Sequence, residues 1–112
     1  MQAAHSVSID AGEAADGSAC FFIKLQAADC EVNITASARE LEELRGVSGA
    51  RWLNRRSLRA GRCLDAPAYW SCEQGRLSVL VGPDDEFWEV GFSAPESLVD
   101  ALLAEIERVE HK

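Results

Sequence analysis

Histidine is scarce in this chain. There are two among 112 residues, His5 and His111, one near each end. A Ser–His or Cys–His couple needs its base held rigidly beside the nucleophile, and the frayed ends of a chain are poor places to hold one. G-x-S-x-G, H-E-x-x-H, Walker and G-x-G-x-x-G patterns are all missing. Acid–base work by carboxylates alone is harder to address, because nineteen Asp and Glu single out no pair. The expectation is a protein that is not an enzyme.

Paired cysteine spacing is missing too. The four cysteines stand at positions 20, 30, 63 and 72 with no C-x-x-C, and no zinc pattern joins them to the histidines. No metal or cofactor is expected. The simplest role for such cysteines is that of small buried hydrophobes with reduced thiols. A Cys20–Cys30 bridge across a hairpin is the alternative, and a reactive Cys63, its pKa lowered by Arg62, is a third. Long apolar runs are lacking, so no segment reaches the roughly 18 residues of a membrane span. Residues 1–10 carry neither a basic n-region nor an apolar h-region. A single compact domain over 1–112, in the cytoplasm, is the resulting expectation.

What the chain does have is segregated charge. Residues 45–64 contain six arginines (Arg45, Arg51, Arg55, Arg56, Arg59, Arg62) and no acid. The remainder sets five bases against nineteen acids, a balance of −14, and the whole chain carries −8. Such a pattern fits an internal electrostatic clamp or a surface built to meet a charged partner. Nucleic acid is disfavoured as that partner, because a body with a pI near 4.7 repels a polyanion. A small phosphate or carboxylate held by the arginine-rich arm, residues 45–62, remains open, and so does pairing of the arm with the chain's own acids.

Periodicity supplies the fold class. Val7 and Ile9 alternate with polar neighbours in a short first strand, and residues 20–26 and 31–35 alternate in the same way. Ser37-Ala-Arg-Glu40 is a capping box that opens a short middle helix with Leu41 and Leu44 on its apolar side, and Gly46 is placed to stop it. Residues 47–67 keep no period and read as an irregular arm, with a short helix at 50–56. Residues 69–73, 76–81 and 86–92 read as three more strands. Ser93 and Glu96 form a second box, with Pro95 in the first turn of a final helix over 94–110. Leu98, Val99, Leu102, Leu103, Ile106 and Val109 share one face of that helix. Leu98, Leu102 and Ile106 are expected to lie against Val79, Val81, Trp88 or Val90. The class is α+β: an antiparallel sheet of five or six strands packed against a C-terminal amphipathic helix, with a short middle helix.

Three features could serve recognition. Asp84, Asp85 and Glu86 stand together in a turn between two strands, where they are either solvated turn residues or a contact for a basic partner. Trp52, Arg55 and Arg56 combine the two residue types most enriched at binding hot spots. Phe22, Leu80 and Phe87 fall on the outer sheet face by alternation, so either a helix covers them or they form an apolar contact patch. The expected partner-binding set is Trp52, Arg55, Arg56, Asp84, Asp85, Glu86 and Phe87.

From Ala66 to Val109 the strands "AYWSCEQ" and "GRLSVLVG", the stretch "DDEFWEVGFS" and the closing amphipathic helix resemble the small acidic immunity proteins of bacterial toxin–immunity pairs. The likeness is one of architecture and style rather than of a motif. It implies a tight-binding inhibitor of a delivered toxin, hence a protein partner, and no catalysis; the acidic surface suits a basic toxin, and the lack of long apolar runs argues against a membrane. It assigns no functional residue.

Overall fold

The computed structural model describes residues 5–28, 30–49, 57–83 and 90–110. Among these residues seven strands form one antiparallel sheet in simple chain order: β1 Ser6–Glu13, β2 Ala19–Gln26, β3 Glu31–Ser37, β4 Leu58–Cys63, β5 Ala66–Glu73, β6 Arg76–Val81 and β7 Val90–Pro95. Helix α1, Ala38–Glu43, and a 3₁₀ segment, Leu44–Gly49, lie between β3 and β4. Helix α2, Leu98–Glu110, closes the chain. The α+β class holds, with seven strands in place of five or six.

Alternation decides the inner face. Phe21, Ile23 and Leu25 of β2, Val32, Ile34 and Ala36 of β3, and Leu77, Val79 and Val81 of β6 are all buried. Their neighbours Lys24, Gln26, Glu31, Asn33 and Arg76 face out. The capping box forms as expected. The Ser37 hydroxyl accepts from the Glu40 N–H at 3.1 Å, and the Glu40 carboxylate accepts from the Ser37 N–H at 2.9 Å. Gly46 does not stop the helical path, which tightens to 3₁₀ and runs on to Gly49, burying Leu44 and Val47.

β4 emerges where an irregular arm was expected. Its pairing with β5 slips between Arg59 and Arg62, and at the slip two consecutive residues, Ala60 and Gly61, are both buried. A bulge of this kind frees a backbone carbonyl from the ladder, and a buried free carbonyl needs a donor. The Trp70 indole supplies it, donating to the Ala60 oxygen at 2.8 Å from a fully buried position. Gly61 has φ +79, and a Cβ there would meet Ile34 Cγ2 at 2.5 Å, so only glycine fits. Ser93 and Pro95 belong to β7, not to a helix start. Ser93 pairs with Ser78, and its hydroxyl accepts from the Arg76 guanidinium at 2.9 Å. Helix α2 therefore begins at Leu98.

The sheet curls. Laid flat, seven strands at about 4.8 Å spacing would span about 29 Å, while α2, with 13 residues, is about 20 Å long. Yet α2 leaves the β7 side and packs chiefly on β1, so the sheet bends around it. The His5 ring meets Phe92 of β7 edge-on, with centroids 6.0 Å apart, which joins the first strand to the last. The backbone of α2 lies closest to β1 and the 3₁₀ segment, and Leu98, Leu102 and Ile106 are buried in the same core cluster as Val79 and Val81, while Val90 is exposed and Trp88 lies outside the described residues.

Helix α2 also covers the outer edge of β1 at Ile9. Ile9 lies opposite Ile23, and its N–H and C=O point away from β2. The Ile9 N–H donates to the Glu105 carboxylate at 2.9 Å, and Arg108 donates to the Ile9 oxygen at 2.6 Å. Glu105 and Arg108 hold each other at 3.0 Å. Two side chains thereby do the hydrogen bonding of a neighbouring strand, which blocks edge-to-edge pairing.

All four cysteines are free: Cys20 and Cys72 are buried, Cys63 is partly buried and Cys30 is exposed. A Cys20–Cys30 bridge is excluded by register. Cys20 pairs with Ser37 while Gln26 pairs with Glu31, so the two cysteines sit at opposite ends of the hairpin, about 20 Å apart.

Candidate functional site

Trp52, Arg55, Arg56, Asp84, Asp85, Glu86 and Phe87 all lie outside the described residues, as do Trp88 and the short helix expected at 50–56. Their immediate flanks are well placed. Before the acidic stretch, the Gly82 N–H donates to the Pro67 oxygen at 3.2 Å, and the Tyr69 hydroxyl reaches the Pro83 oxygen at 3.4 Å. After it, Val90 opens β7 opposite Val81. The acidic sequence 84–86 is therefore rooted at the end of the sheet formed by β5, β6 and β7.

The arginine island divides. Arg45, on the 3₁₀ segment, is an internal clamp. Its Nε donates to Glu42 at 3.0 Å, one terminal nitrogen donates to Glu107 at 2.9 Å, and the other is bonded to Glu110. These three carboxylates hold the Arg45 guanidinium well above its ordinary pKa. The clamp also gives the acidic last turn of α2, unfavourable for the helix dipole on its own, a cation from another element. Arg59 and Arg62 instead project from the outer face of β4, where Arg59 lies opposite Tyr69 and Arg62 stands between Thr35 and Pro67. Arg62 also lends its charge to Glu40. Burial works to raise the Glu40 carboxyl but is outweighed by the N–H donors of Ser37 and Gly61, the Ser37 hydroxyl and that charge, so the group sits below the ordinary carboxylate range.

Of the expected outer-face apolar residues Phe22, Leu80 and Phe87, the last lies outside the described residues, and the other two stand apart. Phe22 is 46% exposed and lies across Gly12, where a Cβ would meet its ring at 2.5 Å. Leu80 is half-buried four strands away, about 19 Å across the sheet.

The outer surface opens between β3 and β4. These strands share one paired position, Thr35 with Arg62, because β4 turns back into β5 at Leu64–Asp65 while β3 continues to Glu31. The gap is a cleft of about 420 Å³ lined by Glu31, Val32, Asn33, Thr35, Cys63, Leu64 and Val90. A second recess continues from Leu64 past Asp65 to Val81 and Val90. Leu64 is 91% exposed and Val90 42%, which makes this the described region where large aliphatic side chains meet solvent together. Its signal in the sequence was slight: a leucine in a two-residue turn.

Among the described residues no cluster of three or more His, Cys, Asp and Glu could hold a metal ion, and no helix is long and apolar enough to cross a membrane. Comparison with protein-family models, with curated proteins and with solved structures finds no match.

Proposed function

We propose that the chain is a non-enzymatic binding protein, an immunity protein that acts in the cytoplasm by binding and neutralising a basic bacterial toxin. The observation that carries this reading is the meeting of exposed aliphatic surface, Leu64 and Val90, with the root of the acidic stretch 84–86, on a chain of net charge −8. An apolar contact on a strongly acidic chain, with Asp65 at its edge, suits a basic protein surface. Charge of this kind steers the encounter and rejects like-charged competitors. Anion binding by the arginine-rich arm finds less support, because Arg45 is committed to three carboxylates.

The test uses the intact protein as an affinity bait in its source cell, then association rates with the captured partner at two salt concentrations. Reversing Asp84, Asp85 and Glu86 to Lys should slow association at least ten-fold at low salt and flatten its salt dependence, and the wild type should abolish the partner's toxicity. If Arg55→Glu with Arg56→Glu slows binding while the acidic triple variant associates normally, the arm is the contact and the acidic reading is wrong. A partner that is not toxic, or whose toxicity survives saturation, overturns the immunity reading.

A further inference from the structure

The backbone of β3 can be assigned side by side. The Ala27 N–H donates to the Cys30 oxygen at 2.9 Å, so the residues pairing inward across the β2–β3 hairpin are Ala27 with Cys30, Leu25 with Val32 and Ile23 with Ile34. The outward bonding of Ile9, opposite Ile23, fits the same phase. Glu31, Asn33 and Thr35 therefore direct their N–H and C=O groups to the β4 side. Thr35 finds Arg62 there. Beyond it, among the described residues, no strand pairs with Asn33 or Glu31. An edge whose two N–H and two C=O groups have no strand partner among the described residues, beside an apolar cleft, is a template for an added strand. The contrast with β1, whose edge is sealed by Glu105 and Arg108, is direct.

The turn at the cleft carries a second, independent sign. Leu64 has φ +56, a left-handed conformation that suits glycine or asparagine and strains a leucine. It is also almost wholly exposed. A strained, exposed aliphatic side chain gains nothing from this chain's own contacts and is positioned to gain from another's. The rim is acidic. Both oxygens of Glu31 accept from neutral amide donors, Gln26 at 3.1 Å and Asn33 at 3.0 Å, with no ion pair to it among the described residues, and Asp65 borders the adjoining recess. Arg62 stands at the closed end, across from Thr35.

We infer that the open side of β3 at Glu31–Asn33 is a docking edge for an extended basic segment of the protein partner, which adds as a strand and lays an aliphatic side chain between Leu64 and Val90. The inference rests on the reading of the chain as a binding protein and specifies how it would bind. Main-chain bonds would supply the pairing, the cleft the side-chain selection and the acidic rim the preference for Lys or Arg at alternate positions.

The probe is a capped heptapeptide alternating lysine and valine, starting and ending on lysine, tested against the full-length protein by fluorescence anisotropy and by amide chemical shifts. The glutamate-for-lysine peptide should bind at least ten-fold more weakly. N-methylation of the valine amides and of the lysine amides blocks opposite edges of the peptide strand, and one of the two, not both, should abolish binding. Leu64→Asn suits the turn and removes no buried contact, so it should fold and still weaken the peptide at least five-fold. Shifts should centre on the amides of Glu31 and Asn33. No binding of the lysine peptide, equal binding of both methylated forms, or shifts centred on Phe22 and Lys24 would overturn the docking edge without touching the toxin assay above. A concentration-dependent dimer lost in Leu64→Asn would overturn it in favour of a second copy of the chain. Toxin capture that fails while the peptide binds would overturn the immunity reading and leave the docking edge standing.

Discussion

Leu102 tests whether α2 lies inside the curl of the sheet. It sits in the middle of α2, fully buried, with Leu98, Val99, Ile106 and Val109 on the same face. Leu102→Ala removes three carbons, worth about 2.4 kcal/mol in transfer at about 0.8 per carbon. The cavity left behind adds to this when the surroundings cannot close in. Here they are restrained: α2 is tied to β1 through Glu105 and Arg108, and to the 3₁₀ segment through Arg45. The expected loss is therefore about 3–4 kcal/mol, within the range for buried leucines. In urea this moves the unfolding midpoint down by about 1.5–2 M at an m-value of about 2 kcal/mol/M, with m unchanged. Leu103→Ala, at the half-buried neighbouring position, should cost on the order of 1 kcal/mol. A loss below about 0.5 kcal/mol for Leu102→Ala, or equal losses for the two variants, would show that the helix does not fill the sheet's inner face.

Hydrogen bonds from Arg108 come first, and one from the Ile9 N–H adds to them, in holding the Glu105 carboxyl below its ordinary range against the opposing effect of burial. A carboxyl depressed on folding contributes stability above its unfolded pKa of about 4.3 and loses that contribution as pH falls through the lower folded value. Glu105→Gln should accordingly lower the melting temperature at pH 7 and converge with the wild type as pH drops below about 4; parallel curves down to pH 3 would refute the assignment. For the cysteines, thiol titration in denaturant without reductant should count four, and in the native state Cys30 should react first, Cys63 more slowly, and Cys20 and Cys72 only on unfolding. A denatured count of two would contradict the register of β2 and β3.

Strands with a continuous inner face were readable from period two alone: β3 and β6 alternate throughout, and β2 does so from Phe21 on, with Cys20 also buried just before it. The middle helix was readable because its capping box is local chemistry. β4 was not, because its bulge puts Ala60 and Gly61 inside together, and its outward residues include the arginines that made the region look like an arm. The Ser93–Glu96 pattern misled for the opposite reason. A serine followed by proline and glutamate satisfies the rules for a helix start, but Phe92 and Ala94 alternate inward, and the pairing with β6 carries the strand on to Pro95. The cleft could not be read from any one segment. It exists because β4 ends at Cys63 while β3 extends to Glu31, a difference of lengths that only the paired register reveals.

The seal between Ile9 and helix α2 joins groups 96 and 99 positions apart in the chain. At about 5–20 residues per second, a ribosome delivers β1 roughly 5–20 seconds before the residues that cover it. The hairpins between are local and can zip as they emerge. The first strand, however, waits with its outer edge unprotected until the final turns of α2 are free. Vectorial synthesis therefore delays the step that shields β1 until α2 has emerged, and a product stalled or shortened before α2 would present an open strand to its neighbours on the same message.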